Sequence, residues 1–316
     1  GEAGEVAASP GLGAALALTL LKVGTFVAVM LVAGSRILPW VLQQVEDFAA
    51  GDISANDAFR PLVRYFDRIT RPEQILSALP RAIQVMTDPA TCGSVCLALP
   101  QDVQTMAFDC PVSFLQPAPL HTRRPSPDAR ELAAATELLT DAKRPLVVAG
   151  GGVLYSRAAS TLAAWATAHG VPVAETQAGK GALAWDHPLN VGAIGVTGSP
   201  AANGLARDAD LIIAVGTRLQ DFTTGSHALF GGPQLLSLNV HPAAAAKCGG
   251  HALVADARVV LAALRPGSWR ADGAWTARAQ SLAAQWTARV TELTTAAPPA
   301  GELPFDAEVI GAVRDS

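Results

Sequence analysis

Apolar and polar positions divide the chain into stretches of different character. From residue 11 to residue 34 the sequence is almost wholly apolar, broken by Lys22 and a few small polar residues. Such a run is long enough to be a membrane-spanning helix. It reads equally as a buried helix followed by a buried strand, Phe26 to Val32, with Gly24 and Thr25 as the break. The membrane reading is the less favoured, because nothing after the run resembles an extracellular domain. No basic segment precedes it to mark a signal peptide. Residues 48–72 are polar and of mixed charge. Pro72 then opens a helical pattern that places Ile75, Leu76, Leu79, Ile83 and Met86 on one face, with Pro80 expected to kink or interrupt it and Asp88-Pro89 to end it. Val95 to Leu99, between Gly93 and Pro100, reads as a buried strand. Five prolines within residues 111–128 make a semi-rigid linker.

A regular alternation follows. Ser126-Pro127 reads as the start of a helix through Leu132 and Leu138, and Leu146 to Ala149 as a strand ending in Gly150-Gly151-Gly152. The next helix has Ser156 as its expected cap, Ala159, Leu162, Ala163 and Ala166 as its apolar stripe, and Gly170 as its stop. Val171 to Ala174 is a second strand. Ser199-Pro200 opens another helix, and Leu211 to Val215, Leu235 to Val240 and Ala252 to Val254 are further strands. Asp256 caps a helix through Leu261 and Leu264. Strands that are apolar on both faces and alternate with helices form a parallel sheet covered on both sides. The fold class is therefore α/β, a doubly wound parallel sheet preceded by part of a second α/β domain. The expected organisation is residues 1–118, 119–266 and 267–316, the last holding a helix from Trp275 to Thr291, a Pro/Gly linker and a short helix from Phe305 to Val313.

Composition narrows the function classes. Half of the 316 residues are hydrophobic, enough for a sizeable core, while only 16% are charged and the net charge is −4. That balance argues against a nucleic-acid partner, which needs a basic face. The four cysteines, Cys92, Cys96, Cys110 and Cys248, include no CxxC pair. Cys92 and Cys96 are expected as small buried hydrophobes, in keeping with a cytoplasmic location.

In a doubly wound sheet, ligands bind beyond the carboxyl ends of the strands. Three glycine-bearing turns fall there: Gly150-Gly151-Gly152, Gly195-Val196-Thr197-Gly198 and Gly216-Thr217-Arg218. Glycine lets backbone N–H groups approach a phosphate, and all three serve equally as tight strand-to-helix turns. Tyr155 stands where a dinucleotide fingerprint needs its third glycine, and Lys180 lacks the spacing of a Walker loop. Glu175 ends a strand as a ribose-binding acid would, and Lys180 lies where it would meet a phosphate or carboxylate. His187 and His241 each precede a proline and read as turn residues. Taken alone, the residues define a fold and weak phosphate-site signals, and no reaction.

Several stretches together resemble the thiamine-diphosphate superfamily that includes acetohydroxyacid synthase. They are Pro145 to Val153, Gly195 to Gly198, Val215 to Gly225 and Leu238-Asn239-Val240-His241-Pro242, in the order and spacing of its middle domain. Within it the chain is similar to the trihydroxycyclohexanedione hydrolases of inositol catabolism. Val41 to Phe48, Ser54 to Pro61, Leu99 to Gln104 and Glu175 to Lys180 carry that likeness, which covers roughly residues 39–265.

The resemblance implies a hydrolase that opens a six-membered cyclic 1,2-dione to 5-deoxyglucuronate, a small-molecule substrate. The cofactor thiamine diphosphate would store the electrons of the broken C–C bond, and Mg²⁺ would hold its diphosphate. An acetolactate-synthase-like carboligase fragment is the alternative, and a non-catalytic nucleotide-binding module or remnant is another. By the resemblance, residues 1–118 are the C-terminal part of a pyrimidine-binding-type domain, with 1–38 atypical, and 267–316 lead into a diphosphate-binding domain. The family's activating glutamate and its Gly-Asp-Gly…Asn metal segment have no counterpart in the chain. No catalytic residue and no metal ligand is therefore assigned, and the chain by itself is expected to be inactive and not to bind thiamine diphosphate. The middle domain of acetohydroxyacid synthase holds FAD. Carried over by position, Gly150, Gly151, Gly152, Gly216, Thr217, Arg218 and Asn239 are the candidates for such a site. The hydrolases are not flavin enzymes, so FAD is not expected and these residues are expected to be structural. The intact family is expected to be homo-oligomeric, with no membrane partner.

Overall fold

The computed structural model describes residues 20–28, 31, 55–116, 121–296 and 303–315. They fall into two compact units, Gly1–Met86 with Gly93–Gln116, and Thr87–Cys92 with Pro117–Ser316. Residues 20–28 are helical, so Gly24 and Thr25 lie inside a helix and do not break one. The expected strand from Phe26 is corrected over 26–28, and the rest of that apolar run lies outside the described residues except Leu31, which is also helical. Among the described residues no helix is long and apolar enough to cross a membrane.

The first unit carries β1 (Tyr65–Arg68) paired in parallel with β2 (Val95–Ala98), Tyr65 opposite Val95 and Arg68 opposite Ala98. Helix α1 (Ile75–Thr87) contains Pro80 without ending there. Proline removes one N–H donor, and the turns on either side keep the remaining bonds. The buried stripe of α1 is Ala78 and Ala82, while Ile83 and Met86 are exposed, which corrects the expected apolar face. Small residues one turn apart let the helix backbone approach the short cluster of Ile69, Val103 and Leu97. Helix α2 (Gln101–Gln104) supplies Val103. Cys92 is exposed and Cys96 only half-buried, so neither is the buried hydrophobe expected from its place by a strand. Asp88 ends α1 by folding its carboxylate onto the Ala90 and Thr91 N–H groups at 2.9 and 2.8 Å. The Thr91 backbone bond above all, then its hydroxyl, holds that carboxyl below the usual range.

The second unit is built on six parallel strands in the order β5-β4-β3-β6-β7-β8. They are β3 (Pro145–Ala149), β4 (Val173–Glu175), β5 (Asn190–Ala193), β6 (Leu211–Val215), β7 (Gln234–Asn239) and β8 (His251–Val254). The chain steps outward from β3 to β5, returns to the other side of β3 and steps outward again. That is a doubly wound order with its switch point between β3 and β6. Every residue of β3 and β6 is buried, as continuous apolar strands require when helices cover both faces. Helices α3 (Ala129–Asp141), α4 (Gly151–Tyr155), α5 (Ala159–His169), α6 (Pro200–Asp208), α7 (Asp221–Thr224), α8 (Pro242–Ala246) and α9 (Ala257–Ala263) alternate with the strands.

Two helix starts differ from expectation. Asp128, not Ser126, caps α3, because its carboxylate accepts from the Arg130 and Glu131 N–H groups. Ser156 does not cap α5; it is buried between α4 and α5 and donates to the Val153 carbonyl. Ser199 and Asp256 cap α6 and α9 as expected. Strand β5 was not foreseen: Asn190-Val191-Gly192-Ala193 is short, holds one buried residue and carries a left-handed glycine. Helix α10 (Gly273–Thr295) lies along α6 and β5 and buries only Trp275 and Ala279. Three tryptophans close the core, each donating its indole N–H to a carbonyl: Trp165 to Leu264, Trp269 to Ala142 and Trp275 to Pro145, at 3.0, 3.1 and 2.9 Å. Such partners let a large ring be buried without stranding its polar atom. Helix α11 (Asp306–Asp315) packs on the end of α10.

One buried group stands out in this core. The Ser237 hydroxyl on β7 is fully buried, between Ala214 and Ala252 in register, and has no hydrogen-bond partner. Removing it takes away an unmet desolvation cost. Ser237→Ala is expected to leave stability unchanged or raise it by up to about 1 kcal/mol in urea unfolding. A loss of that size would show that the hydroxyl is satisfied.

Candidate functional site

The carboxyl edge of the sheet is made by three turns that close on one another. Gly150 donates its N–H to the Val215 carbonyl at 2.8 Å, and Gly152 donates to the Gly216 carbonyl at 2.9 Å. Gly216 in turn donates to the Leu238 carbonyl at 2.8 Å. A side chain has no room here. A Cβ at Gly150 would lie 2.6 Å from the Thr217 Cβ, and one at Gly152 would lie 2.6 Å from the Gly216 Cα. Gly151 is buried against Ala178 and the Tyr155 ring. Gly216 also has φ +61°, a conformation costly for any residue with a Cβ. Thr217 is buried, and its carbonyl accepts from the Asn239 side-chain amide at 3.0 Å, while the Asn239 oxygen accepts the His241 N–H at 3.0 Å. Asn239 is thus a latch between the end of β7 and the turn after β6. Arg218 is exposed, and Lys247 donates to the carbonyls of Arg218 and Leu219 at 3.5 and 3.4 Å. Six of the seven residues singled out from sequence therefore share one interlocked turn, and Arg218 stands at its rim.

The same turn reaches across the sheet. β5 and β6 are three places apart in the strand order, roughly 14 Å at the usual strand spacing. Yet Val196, just after β5, donates its N–H to the carbonyl of Phe222, just after β6, at 2.8 Å. The segment from Gly216 to Phe222 therefore lies as a strap over the carboxyl ends of β3 and β4. A doubly wound sheet opens its ligand crevice at the switch point, here between β3 and β6, where the turns at Gly150, Gly152 and Gly216 are joined by backbone bonds.

Residues 132–264 match a family described as thiamine pyrophosphate enzyme, central domain. The chain is 45% identical over 227 residues to a 3D-(3,5/4)-trihydroxycyclohexane-1,2-dione hydrolase of Clostridium perfringens, covering 71% of this chain and 36% of the relative. It is 48% identical over 224 residues to the protein of that name from Geobacillus thermodenitrificans, covering 71% and 35%. A second hydrolase of this kind from Bacillus cereus is 45% identical over 226 residues, 71% of this chain and 35% of the relative. The chain thus spans about a third of the length of the curated relatives it matches. The likeness read from the motifs above is the one these comparisons find.

Beside the strap, the central domain buries one carboxylate. Glu175, 1% exposed at the end of β4, accepts the Gly181 and Leu183 N–H groups, each at 3.0 Å. Its other oxygen lies 3.8 Å from the Lys180 ammonium, which is itself exposed. The acid that resembled a ribose ligand is thus spent on shaping its own loop. Lys180 is held at the edge by Glu175 and by Gly179, whose missing Cβ would sit 2.8 Å from the Ala149 carbonyl carbon. His187 bridges the Leu189 N–H and the Thr167 hydroxyl, both at 3.2 Å, a loop tie as its turn position suggested.

Some residues that shape the edge were not singled out. Asn203 grips Gly195 from both sides, accepting its N–H at 3.0 Å and donating to its carbonyl at 2.8 Å. The signal was present, since asparagine is a poor helix former unless its amide has local work. Leu219, Ser226 and His227 are non-glycine residues at φ +48°, +53° and +67°, and Gly225 precedes the last two at +57°. Left-handed residues in succession are unfavourable for side chains with a Cβ. Ser226→Gly and His227→Gly are each expected to raise the urea midpoint of the central domain, by about 1 kcal/mol of stability. An unchanged or lowered midpoint in both would mean the turn is not strained.

Proposed function

We propose that this chain supplies the central domain, and the segment before it, of a thiamine-diphosphate-dependent hydrolase that opens the ring of trihydroxycyclohexane-1,2-dione. The observation that supports this reading is the 45–48% identity to hydrolases of that name, over a stretch longer than the central domain alone. An acetolactate-synthase-like carboligase is not favoured by relatives so named. The domain division follows the likeness: residues 1–118 as the C-terminal part of a pyrimidine-binding-type domain, 119–266 as the central domain, and 267–316 as a helix and linker towards a diphosphate-binding domain.

When bound, thiamine diphosphate supplies a nucleophilic carbon that holds the electron pair of the cleaved bond. Among the described residues no group of His, Cys, Asp or Glu is arranged to hold a metal ion. No Mg²⁺ or diphosphate ligand is assigned to them, and no step is routed through either. The carboxyl edge also does not fit a dinucleotide. The N–H groups of Gly150, Gly152 and Gly216 are committed to carbonyls, and Asn239 is used at both ends of its amide. We therefore read Gly150, Gly151, Gly152, Gly216, Thr217, Arg218 and Asn239 as structural, and FAD as no part of this protein's chemistry. The role of the central domain is then to hold a rigid edge beside a reaction carried out elsewhere. A homo-oligomeric cytoplasmic enzyme acting on a small molecule, without nucleic-acid or membrane partners, completes the reading. The net charge of −4 supports it, as does the bacterial metabolic character of the relatives.

A chimera tests this. The matched segment of the Clostridium perfringens hydrolase is replaced by that of this chain, and ring opening is followed with the purified protein. Activity within about tenfold of the parent, a barrier change of about 1.4 kcal/mol, is expected. A chimera that folds and binds thiamine diphosphate but opens no ring would overturn the assignment.

A further inference from the structure

The chain has four asparagines. Asn190 and Asn239 precede valine, Asn56 precedes Asp57, and Asn203 alone precedes glycine. Asparagine is thermally labile because the backbone nitrogen of the next residue can attack its side-chain amide. A Cβ on the attacking residue crowds that ring closure, so glycine is the neighbour that permits it best. A Cβ at Gly204 would meet nothing within 4 Å, so packing gives no reason for glycine there.

In the folded chain both reacting groups are engaged. Asn203 and Gly204 lie inside α6. A helical N–H at position 204 bonds back to the carbonyl four residues earlier, which holds the attacking nitrogen. The Asn203 amide oxygen accepts the Gly195 N–H at 3.0 Å, and its nitrogen donates to the Gly195 carbonyl at 2.8 Å. That clamp fixes a turn in which Gly195 has φ +113° and Val196 donates to the Phe222 carbonyl. Attack therefore requires that α6 open and the clamp let go.

We propose that Asn203 is a deamidation site gated by the fold, silent while α6 is closed and damaging to the Gly195 turn once it has reacted. The Gly204 nitrogen bonds to the Asn203 Cγ and the Cγ–Nδ2 bond breaks. The Gly204 proton leaves with the amide nitrogen as ammonia, and a succinimide remains. Water then adds to either ring carbonyl, giving aspartate or isoaspartate at position 203. Neither product remakes the clamp. Aspartate sets a carboxylate oxygen where the amide donated, so two acceptors face each other at the Gly195 carbonyl. Isoaspartate routes the main chain through its own side chain, which adds an atom to the backbone of α6 and breaks its register.

The test ages the full 316-residue chain in mildly alkaline buffer, with and without urea above the unfolding midpoint, and follows the tryptic peptide 181–207. Fragment masses report the replacement of NH by O at each position, and Asn190, in the same peptide before a valine, is the internal reference. In urea Asn203 should convert while Asn190 stays. The conversion should be at least about a hundredfold slower in the folded chain, because α6 must open first. Gly204→Ala should slow it in urea by roughly tenfold or more. When the aged chain is diluted from urea, the refolded fraction should hold intact Asn203 and the remainder the converted product. Asn203→Asp, made directly, should have a lowered urea midpoint; should it fail to fold, the sorting of the aged chain carries the same readout. The proposal is overturned by equal conversion in folded and unfolded chain, or by Asn203 surviving urea as well as Asn190 does. It is also overturned by a Gly204→Ala chain that converts as fast as its parent, or by a converted chain that refolds as fully as the intact one.

Discussion

Gly152→Ala lowers the stability of the central domain by about 2–4 kcal/mol in urea unfolding, even though alanine is the better helix former. Gly152 lies in α4, where intrinsic propensity alone favours alanine by about 1 kcal/mol. The opposing term is larger. The added Cβ would lie 2.6 Å from the Gly216 Cα and 2.9 Å from the Gly216 oxygen, both backbone atoms. Neither can rotate away, because the Gly152 N–H is bonded to that same oxygen and Gly216 is tied to Leu238. The contact yields only if the turns after β3 and β6 separate, which breaks both bonds. Gly204→Ala in α6 is the control, since a Cβ there meets nothing within 4 Å. It should gain roughly 0.5–1 kcal/mol, the propensity difference by itself. If both variants gained equally, the interlocked turn would be wrong, and the glycines would be free to serve a ligand instead.

Asp256→Ala should cost about 3 kcal/mol, because one buried carboxylate serves two purposes. One oxygen caps α9 by accepting the Arg258 and Val259 N–H groups at 3.0 and 3.3 Å. The other takes the Arg124 guanidinium at 2.9 Å, and the same Arg124 nitrogen donates to the Ser156 carbonyl at 2.8 Å. Asp256 is 3% exposed at its side chain and Arg124 27%, so alanine leaves a half-buried cation with a single carbonyl partner. Loss of a cap costs about 1 kcal/mol and removal of one member of a buried pair about 3–5; the partial exposure of Arg124 brings the sum towards the lower figure. Asp256→Asn keeps an oxygen for the cap and should recover roughly 1 kcal/mol of the loss. Equal losses for alanine and asparagine would show that the cap adds nothing beyond the ion pair.

The central domain was legible in the sequence wherever burial on both faces left a mark. Leu211 to Val215 is apolar throughout because helices cover both sides of β6, and the helices around it show their caps, Ser199 and Asp256, in plain view. Strand β5 was not legible. An edge strand of four residues with one buried side chain carries no pattern of its own, and its identity rests on pairing with β4. The face of α1 was misread because bulk was taken as the sign of burial, whereas close helix packing selects Ala78 and Ala82.

The glycine turns divide in the same way. Their presence at strand ends follows from the sequence, and so does the likeness to hydrolases that share nearly half of the matched residues. What each glycine is for does not. Glycine admits a phosphate and a neighbouring backbone equally well, since both need the space a Cβ would fill. Only the tertiary structure gives each glycine its neighbours, by bringing Gly152 against Gly216 and drawing the strap from β6 across to β5. A strand's apolar pattern is a local property, written residue by residue. The closure of one turn on another depends on atoms more than sixty positions apart, and composition and periodicity hold no record of that distance.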